Sequence, residues 1–312
     1  MSKGSAIKLY AAPETVVGTV PTSGWFTVRR VTDGLTENVT TSTSSSVLDS
    51  RFRQGSTVDE SEITGSLEVE LSIGTFDQFI SAVAMNDWVE DSVDPTKHTL
   101  QFGGETKKTF TFVKHFSDIG TYHVYTGVRI AELSFSLATT GKITATFGLV
   151  GTGFESVTVN PATSIAPADD AVLVSALNVN KMLVNGATTV GTACVQSLEL
   201  AINNNMNPYR CLGSGKTSAQ GYNEGMVDIT LNTQFMFTSQ SKAYIPLVKT
   251  RATIPLEFAI EDAAGNKYDF NFPQLEVAEA SHPDGGGEDD IYLDVNFAHI
   301  KTSPVITRTL AA

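Results

Sequence analysis

The chain has 312 residues and carries 21 Lys+Arg against 34 Asp+Glu, a net charge of −13. At 33.3 kDa it is long enough for one large core or two domains of about 150 residues each. The acidic balance excludes tight sequence-independent binding to nucleic acid, because that affinity comes from neutralising phosphates. Charged residues make up only 18% and apolar ones 41%, with Thr, Ser, Asn and Gly filling much of the rest, a mixture that favours strands and turns over helices.

The segment Met1 to Pro13 has Lys3 and Lys8 but no continuous apolar run of secretory type. No stretch approaches 18 apolar residues, so no membrane span is expected. From these features the chain is expected to be made and folded in a reducing cytoplasm. Cys194 and Cys211 lack a CxxC spacing and are too few for a disulfide framework; they could pair or remain two half-buried thiols.

Along the chain the dominant signal is alternation with period two. Leu67, Val69, Leu71 and Ile73 point one way, Glu68, Glu70 and Ser72 the other. The pattern returns at Leu133–Leu137, Ile143–Phe147, Ile229–Phe237, Leu256–Ile260 and Ile291–Phe297. Thr139-Thr140-Gly141-Lys142 and Ala263-Ala264-Gly265-Asn266 read as hairpin turns. The chain is therefore expected to be mainly β, a sandwich or barrel of antiparallel hairpins. One helix interrupts it. Thr75-Phe76-Asp77-Gln78 predicts a capping box with Thr75 as N-cap, and Phe76, Phe79, Ile80 and Val83 form an apolar stripe ending near Asn86.

The pattern occurs twice. A Thr/Ser-rich segment before Val47-Leu48-Asp49-Ser50 leads through a polar loop to the strand Gly65–Ile73 and the helix. In the second half Leu198–Met206 leads through Cys211-Leu212-Gly213-Ser214 to the strand Ile229–Phe237 and a weaker helical run, Ser239–Val248. Leu48 to Leu67 and Leu212 to Leu231 are equally spaced. Each half closes with a hairpin, Glu132–Leu149 and Gln274–Ala298. This predicts a duplicated domain, residues 1–160 and 161–312, with Asn160–Pro167 as linker.

Catalytic and metal motifs are weak. Gly213-Ser214-Gly215-Lys216-Thr217 has Arg210 where a phosphate loop needs its first glycine, and reads as a glycine loop between strands. His115 and His123 flank a turn, but two imidazoles make a poor metal site. The acidic tip Asp284–Asp290 lacks the ligand order of a calcium loop. No GxSxG elbow occurs, so neither enzyme activity nor a cofactor is expected.

Several stretches resemble the major tail tube proteins of long, non-contractile phage tails: Glu14–Thr19 with Trp25 downstream; Leu48-Asp49-Ser50-Arg51; Ile63–Leu71; the helix Thr75–Ala84; Leu200–Asn205; Gly265-Asn266-Lys267-Tyr268; and Phe272-Pro273. The resemblance implies β-sandwich or half-barrel domains with a flanking helix, whose rings stack into a tube around DNA. It implies virion-tail location, assembly in the host bacterial cytoplasm, and contact with the tape measure, terminator and tip proteins, with DNA passing unbound and no membrane involved. A long loop in each domain would reach the adjacent ring; Val39–Glu62 and Asn203–Gly225 fit that place, offering Arg51, Arg53, Asp59, Glu60, Arg210 and Lys216 as contacts. Two domains per chain predict a trimeric, pseudo-sixfold ring, with a hexamer as the alternative. The charge divides evenly, −6 in residues 1–160 and −7 in 161–312, so both repeats can present an acidic wall. Which residues face the lumen is left open by the sequence. A β-sandwich adhesin or carbohydrate-binding module is the competing reading.

Overall fold

A computed structural model describes residues 3–47, 49, 51–190, 193–282, 287 and 290–311. Leu48, Ser50 and most of the acidic tip therefore lie outside the described residues. The first half contains strands β1 (Ile7–Pro13), β2 (Phe26–Thr27), β3 (Thr32–Asp33), β4 (Thr36–Thr43) and β5 (Ser56–Glu70), then helix α1 (Asp77–Ala84). After it come β6 (Val89–Glu90), β7 (Lys97–Gln101), β8 (Phe110–Phe116), β9 (Thr121–Ala138), β10 (Thr144–Gly151) and β11 (Gly153–Val157).

The second half contains β12 (Val179–Val184), β13 (Ala187–Thr188), β14 (Val195–Asn203), β15 (Asn207–Tyr209), β16 (Gly221–Asn223) and β17 (Asp228–Met236). A short 3-10 turn and helix α2 (Leu247–Thr250) precede β18 (Thr253–Glu261), β19 (Lys267–Ser281), β20 (Tyr292–His299) and β21 (Val305–Thr309). The fold is mainly β, as the alternation predicts.

Both halves use the same pairing scheme. In the first, β1 pairs with β8, β8 with β9, β9 with β10, β10 with β5 and β5 with β4. In the second, β12 pairs with β18, β18 with β19, β19 with β20, β20 with β17 and β17 with β14. The long strands β9 and β19 each bend from one sheet into another: β11 pairs with the beginning of β9, and β21 with the beginning of β19. Each bend carries a bulge, at Ala131 between Ile130 and Glu132 and at Ala278 between Val277 and Glu279. An extra residue on one strand increases the local twist, which lets one strand serve both layers.

The bulges fix the alignment of the two halves. Glu132 opposes Gly148 and Glu279 opposes Asn296. Continuing the ladder, Leu67 opposes Phe147, whereas Thr233 opposes Val295. Leu67 therefore corresponds to Thr233, two residues beyond the Leu231 suggested by equal spacing. An even slip keeps every side chain on its face, so hydrophobic patterning cannot detect it.

The halves are joined edge to edge. β9 continues beyond its bulge to pair antiparallel with β14, Glu132 opposite Asn203 through Ala138 opposite Ser197. The result is one run of neighbouring strands, β4·β5·β10·β9·β14·β17·β20·β19. Its inner face carries Leu67, Val69, Phe135, Phe147, Leu200, Leu231 and Phe297, all at most 1% exposed, in one hydrophobic core spanning both halves. Helix α1 covers that face, and Phe79 packs its ring edge-on against Phe147 at 5.5 Å.

The helix begins differently from the expectation. Phe76, not Thr75, is the N-cap, and no side chain caps the turn. The Thr75 hydroxyl instead donates to Asp169 at 2.7 Å and accepts from Ser72 at 2.8 Å. Thr75 is thereby tied to a residue 94 positions away, a tertiary contact that replaces the local cap. Asp77 accepts hydrogen bonds from Tyr268, at 2.5 Å, and from Arg308, drawing α1 onto the second half.

Two further expectations meet their positions in the fold. His115 stacks on Tyr122 and His123 packs against Phe116 and Phe154; Lys114, not His115, lies opposite His123. Neighbouring residues on a strand face opposite ways, so the two imidazoles do not converge. Cys194 is half-buried and Cys211 exposed, and neither forms a disulfide. Among the described residues no helix is long and apolar enough to cross a membrane, and no His/Cys/Asp/Glu group has metal-site geometry.

Candidate functional site

Period two sends every second residue of the eight-strand run away from the core. On that open face lie Glu68 and Glu70 of β5, Glu132 of β9, Glu199 of β14, Asp228 of β17, Asp294 of β20 and Glu279 of β19. Thr144, Thr146, Ser134, Ser136, Asn203, Asn232 and Asn296 fill the positions between. No lysine or arginine occupies a strand position of this face in residues 64–70, 132–138, 144–148, 197–203, 228–236, 279–281 or 292–298.

Three of the seven carboxylates are held by amides. Asn203 donates to Glu132 at 2.7 Å, Asn205 to Asp228 at 2.7 Å and Gln234 to Asp294 at 2.9 Å. An amide orients a carboxylate without cancelling its charge. One cation intrudes at the rim, where Lys142 of the β9–β10 turn reaches Glu70 at 2.5 Å. The face is therefore a broad, negatively charged, hydroxyl- and amide-rich surface with no apolar patch at its centre.

The seam between the halves is built by three consecutive asparagines. Asn203 binds Glu132, as above. Asn204 is buried; its backbone N–H donates to the Ala131 carbonyl at 3.0 Å and its side chain to that of Val83 at 2.8 Å. Asn205 takes a left-handed conformation, φ 47°, and bonds both Met226 and Asp228. Asparagine tolerates that region better than most residues. Close by, Glu224 meets Lys107 at 2.7 Å and Arg129 at 3.0 Å. Burial opposes its charge, but those hydrogen bonds outweigh it and hold the pKa down at about 2.

The two long loops differ in form. Val39–Glu62 is mostly a β4–β5 hairpin that extends away from the core, with residues 44–47 and 51–55 at its tip. Asn203–Gly225 contains the two-stranded ribbon of β15 and β16, with the glycine loop between them. Gly213 and Gly215 have φ of 80° and 68°, which the sequence Gly213-Ser214-Gly215 permits at no steric cost.

These loops touch one another. Arg210 reaches Glu60 at 3.3 Å and Glu62 at 3.8 Å, and the Ser61 N–H donates to the Thr217 carbonyl at 3.1 Å. Of the six expected contacts, Glu60 and Arg210 are thus brought together within one chain. Asp59 accepts from Ser42 at 2.7 Å. Arg51, Arg53 and Lys216 are exposed at the loop ends, beside the exposed apolar residues Val47, Phe52 and Leu212. Sequence reasoning noted Glu68 and Glu70 but missed Glu132, Glu199, Asp228, Glu279 and Asp294. Glu132, Glu199, Asp228 and Asp294 alternate with core residues, so their signal was present, whereas Glu279 reaches this face only through the bulge at Ala278; the strand order that aligns them is not written in any one strand.

A family model described as phage tail tube protein matches residues 4–298. The chain belongs to this family. No curated protein matches it significantly. The chain is therefore a structural phage tail tube subunit, as its sequence resemblance implies. The Leu200–Asn205 stretch lies at the seam between the halves, and Ile63–Leu71 lies in and just beyond β5, between β4 and β10. Glu14, from another resembling stretch, accepts from Thr111 at 2.7 Å and from the N–H groups of Gly127 and Gly18, each at 2.8 Å, fixing the chain after β1.

Proposed function

We propose that this subunit self-assembles into rings of three chains, stacked into a tube whose lumen is lined by the open acidic face and through which viral DNA passes. The observation that carries this reading is the continuous eight-strand sheet with one apolar, helix-covered face and one acidic face. A conduit for a polyanion needs a wall that repels phosphate and offers no cationic anchor.

The duplicated pairing scheme supports the trimeric, pseudo-sixfold ring over a hexamer, because each chain supplies two equivalent units. Three chains of eight strands each would make a barrel of 24. With strands about 4.8 Å apart and tilted by about 40°, its backbone diameter is about 48 Å. That leaves room inside the side chains for a duplex about 20 Å wide. The β4–β5 tip and the β15–β16 ribbon, with charged and apolar residues exposed, serve as contacts between successive rings. The tape measure, terminator and tip proteins are the further partners.

Negative-stain microscopy of the purified protein tests the reading. Stacked rings with a central hole, and three chains per ring by native mass, are expected. A monomer that never polymerises and binds a glycan instead would establish the adhesin or carbohydrate-binding alternative.

A further inference from the structure

We propose that the Lys114 amine condenses with the Asp33 carboxyl group in the folded chain, forming an amide cross-link between the two side chains and releasing one water. The site lies inside the first half and is independent of how copies of the chain assemble.

Both residues stand at inward positions that their strands otherwise give to apolar side chains. On β8, Phe110, Phe112 and Lys114 share one face, and both phenylalanines belong to the core. On β3, Asp33 opposes the core residue Leu67 and so points inward too. β8 lies between β1 and β9, whereas β3 flanks β5, so the two side chains approach from opposite layers. Lys114 Nζ lies 3.1 Å from Asp33 Oδ2, with the side chains 11% and 5% exposed. Nζ also donates to the Leu35 carbonyl, and the Tyr125 ring covers it at 5.4 Å.

Taking both charges out of water is costly, and the same burial favours the neutral amine and acid from which an amide forms. Burial pushes the Lys114 amine down against the upward pull of Asp33, and the charge of Arg30 adds to the fall.

The groups that a condensation needs surround the pair. The Leu35 N–H donates to Asp33 Oδ1 at 3.0 Å, which makes that oxygen the carbonyl and stabilises negative charge on it during attack. Oδ2, beside Nζ, is then the oxygen that leaves. Glu37 opposes the buried Ile63, so Asp33, Leu35 and Glu37 follow one another along a single inward face. Burial and the charges of Asp33 and Glu37 push the Tyr125 phenol up to about 12, which sets both carboxylates near one ring.

The protons balance. One passes from the ammonium to Oδ2, and the Nζ lone pair attacks Cγ to form the C–N bond. Glu37 takes the surplus proton from nitrogen and returns it to the Oδ2 hydroxyl, and the C–O bond breaks as water departs. The amide keeps one N–H for the Leu35 carbonyl, and Oδ1 keeps the Leu35 N–H, so the product is fully hydrogen-bonded. β4 starts three residues after Asp33 and runs into the long hairpin. The bond fastens the root of that hairpin to β8 and closes a loop of about 80 residues, restricting the unfolded chain as a disulfide does.

Mass spectrometry of the denatured, full-length protein tests this. The parent should be lighter than its sequence by one water, and trypsin should release one branched peptide carrying both Asp33 and Lys114. Lys114→Met should have its full sequence mass. Glu37→Gln should form the bond at least tenfold more slowly, leaving unlinked chains at early times after synthesis. A parent that keeps its full mass after prolonged incubation at neutral pH would overturn the proposal, and this reading needs no variant to fold. A loss of water that persists in Lys114→Met, or a branched peptide joining other residues, would overturn it as well.

Discussion

Glu224 joins the two halves through one carboxylate. It sits just before β17, yet its ion-pair partners, Lys107 and Arg129, belong to the first half. Its pKa is about 2 in the folded chain against an ordinary value of 4.5. A depressed folded pKa adds stability that is fully present above the unfolded value and is lost as pH falls toward the folded one. Glu224→Gln should therefore lower the urea midpoint at pH 7. The gap between variant and parent should narrow steadily from about pH 5 down to pH 2, where the parent's carboxylate also becomes protonated. Denaturation curves across that range check it; a gap independent of pH would mean that packing, not charge, is what Glu224 contributes. Gly65 makes the same point sterically. A Cβ there would lie 2.4 Å from the Leu35 Cα, so only glycine lets the β3–β4 crossing lie flat on β5.

At the scale of elements, alternation made the strands legible because one face is buried almost everywhere: Leu67, Val69, Leu71 and Ile73 are at most 4% exposed. The acidic face was implicit in the same pattern, as Glu68 and Glu70 show. Order across the sheet was not legible, since β9 meets β14 through an edge that no local signal marks. The helix cap failed for a related reason: Asp169, distant in sequence, takes the Thr75 hydroxyl. The β4–β5 hairpin was legible as a long polar excursion, and its two parts now carry separable roles. Its strands form the sheet edge, while residues 44–47 and 51–55 lie beyond the last strand pair, Thr43 with Ser56. Replacing residues 44–55 by an Asn-Gly turn keeps the paired strands and removes only the tip. Such a variant should fold and form single rings, yet fail to stack into tubes longer than a few rings under the microscope. Tubes of normal length would assign stacking elsewhere, with the β15–β16 ribbon the next segment to remove.

For the whole molecule, charge placement matters more than total charge. A net −13 spread at random would leave cationic spots on any wall; here the strand positions of one continuous face carry carboxylates and no cation. The folding core does not require this, because those side chains point away from it. Charge reversal on that face should consequently separate transport from assembly. Glu68→Lys, Glu199→Lys and Asp294→Lys lie on three different strands, each at a half-exposed or exposed position. Together they change the charge by six units per chain, and a three-chain ring by 18. The triple variant should still form tubes, because none of the three residues lies on the β4 or β19 edge. Short duplex DNA, which the parent tubes should exclude, should then bind, with affinity falling steeply between about 50 and 200 mM salt as counterion release dictates. Fluorescence anisotropy of labelled duplex against assembled tubes reads both properties. If reversed and parent tubes bind DNA equally weakly at low salt, the acidic face lies outside the lumen, and another surface of the subunit lines the channel.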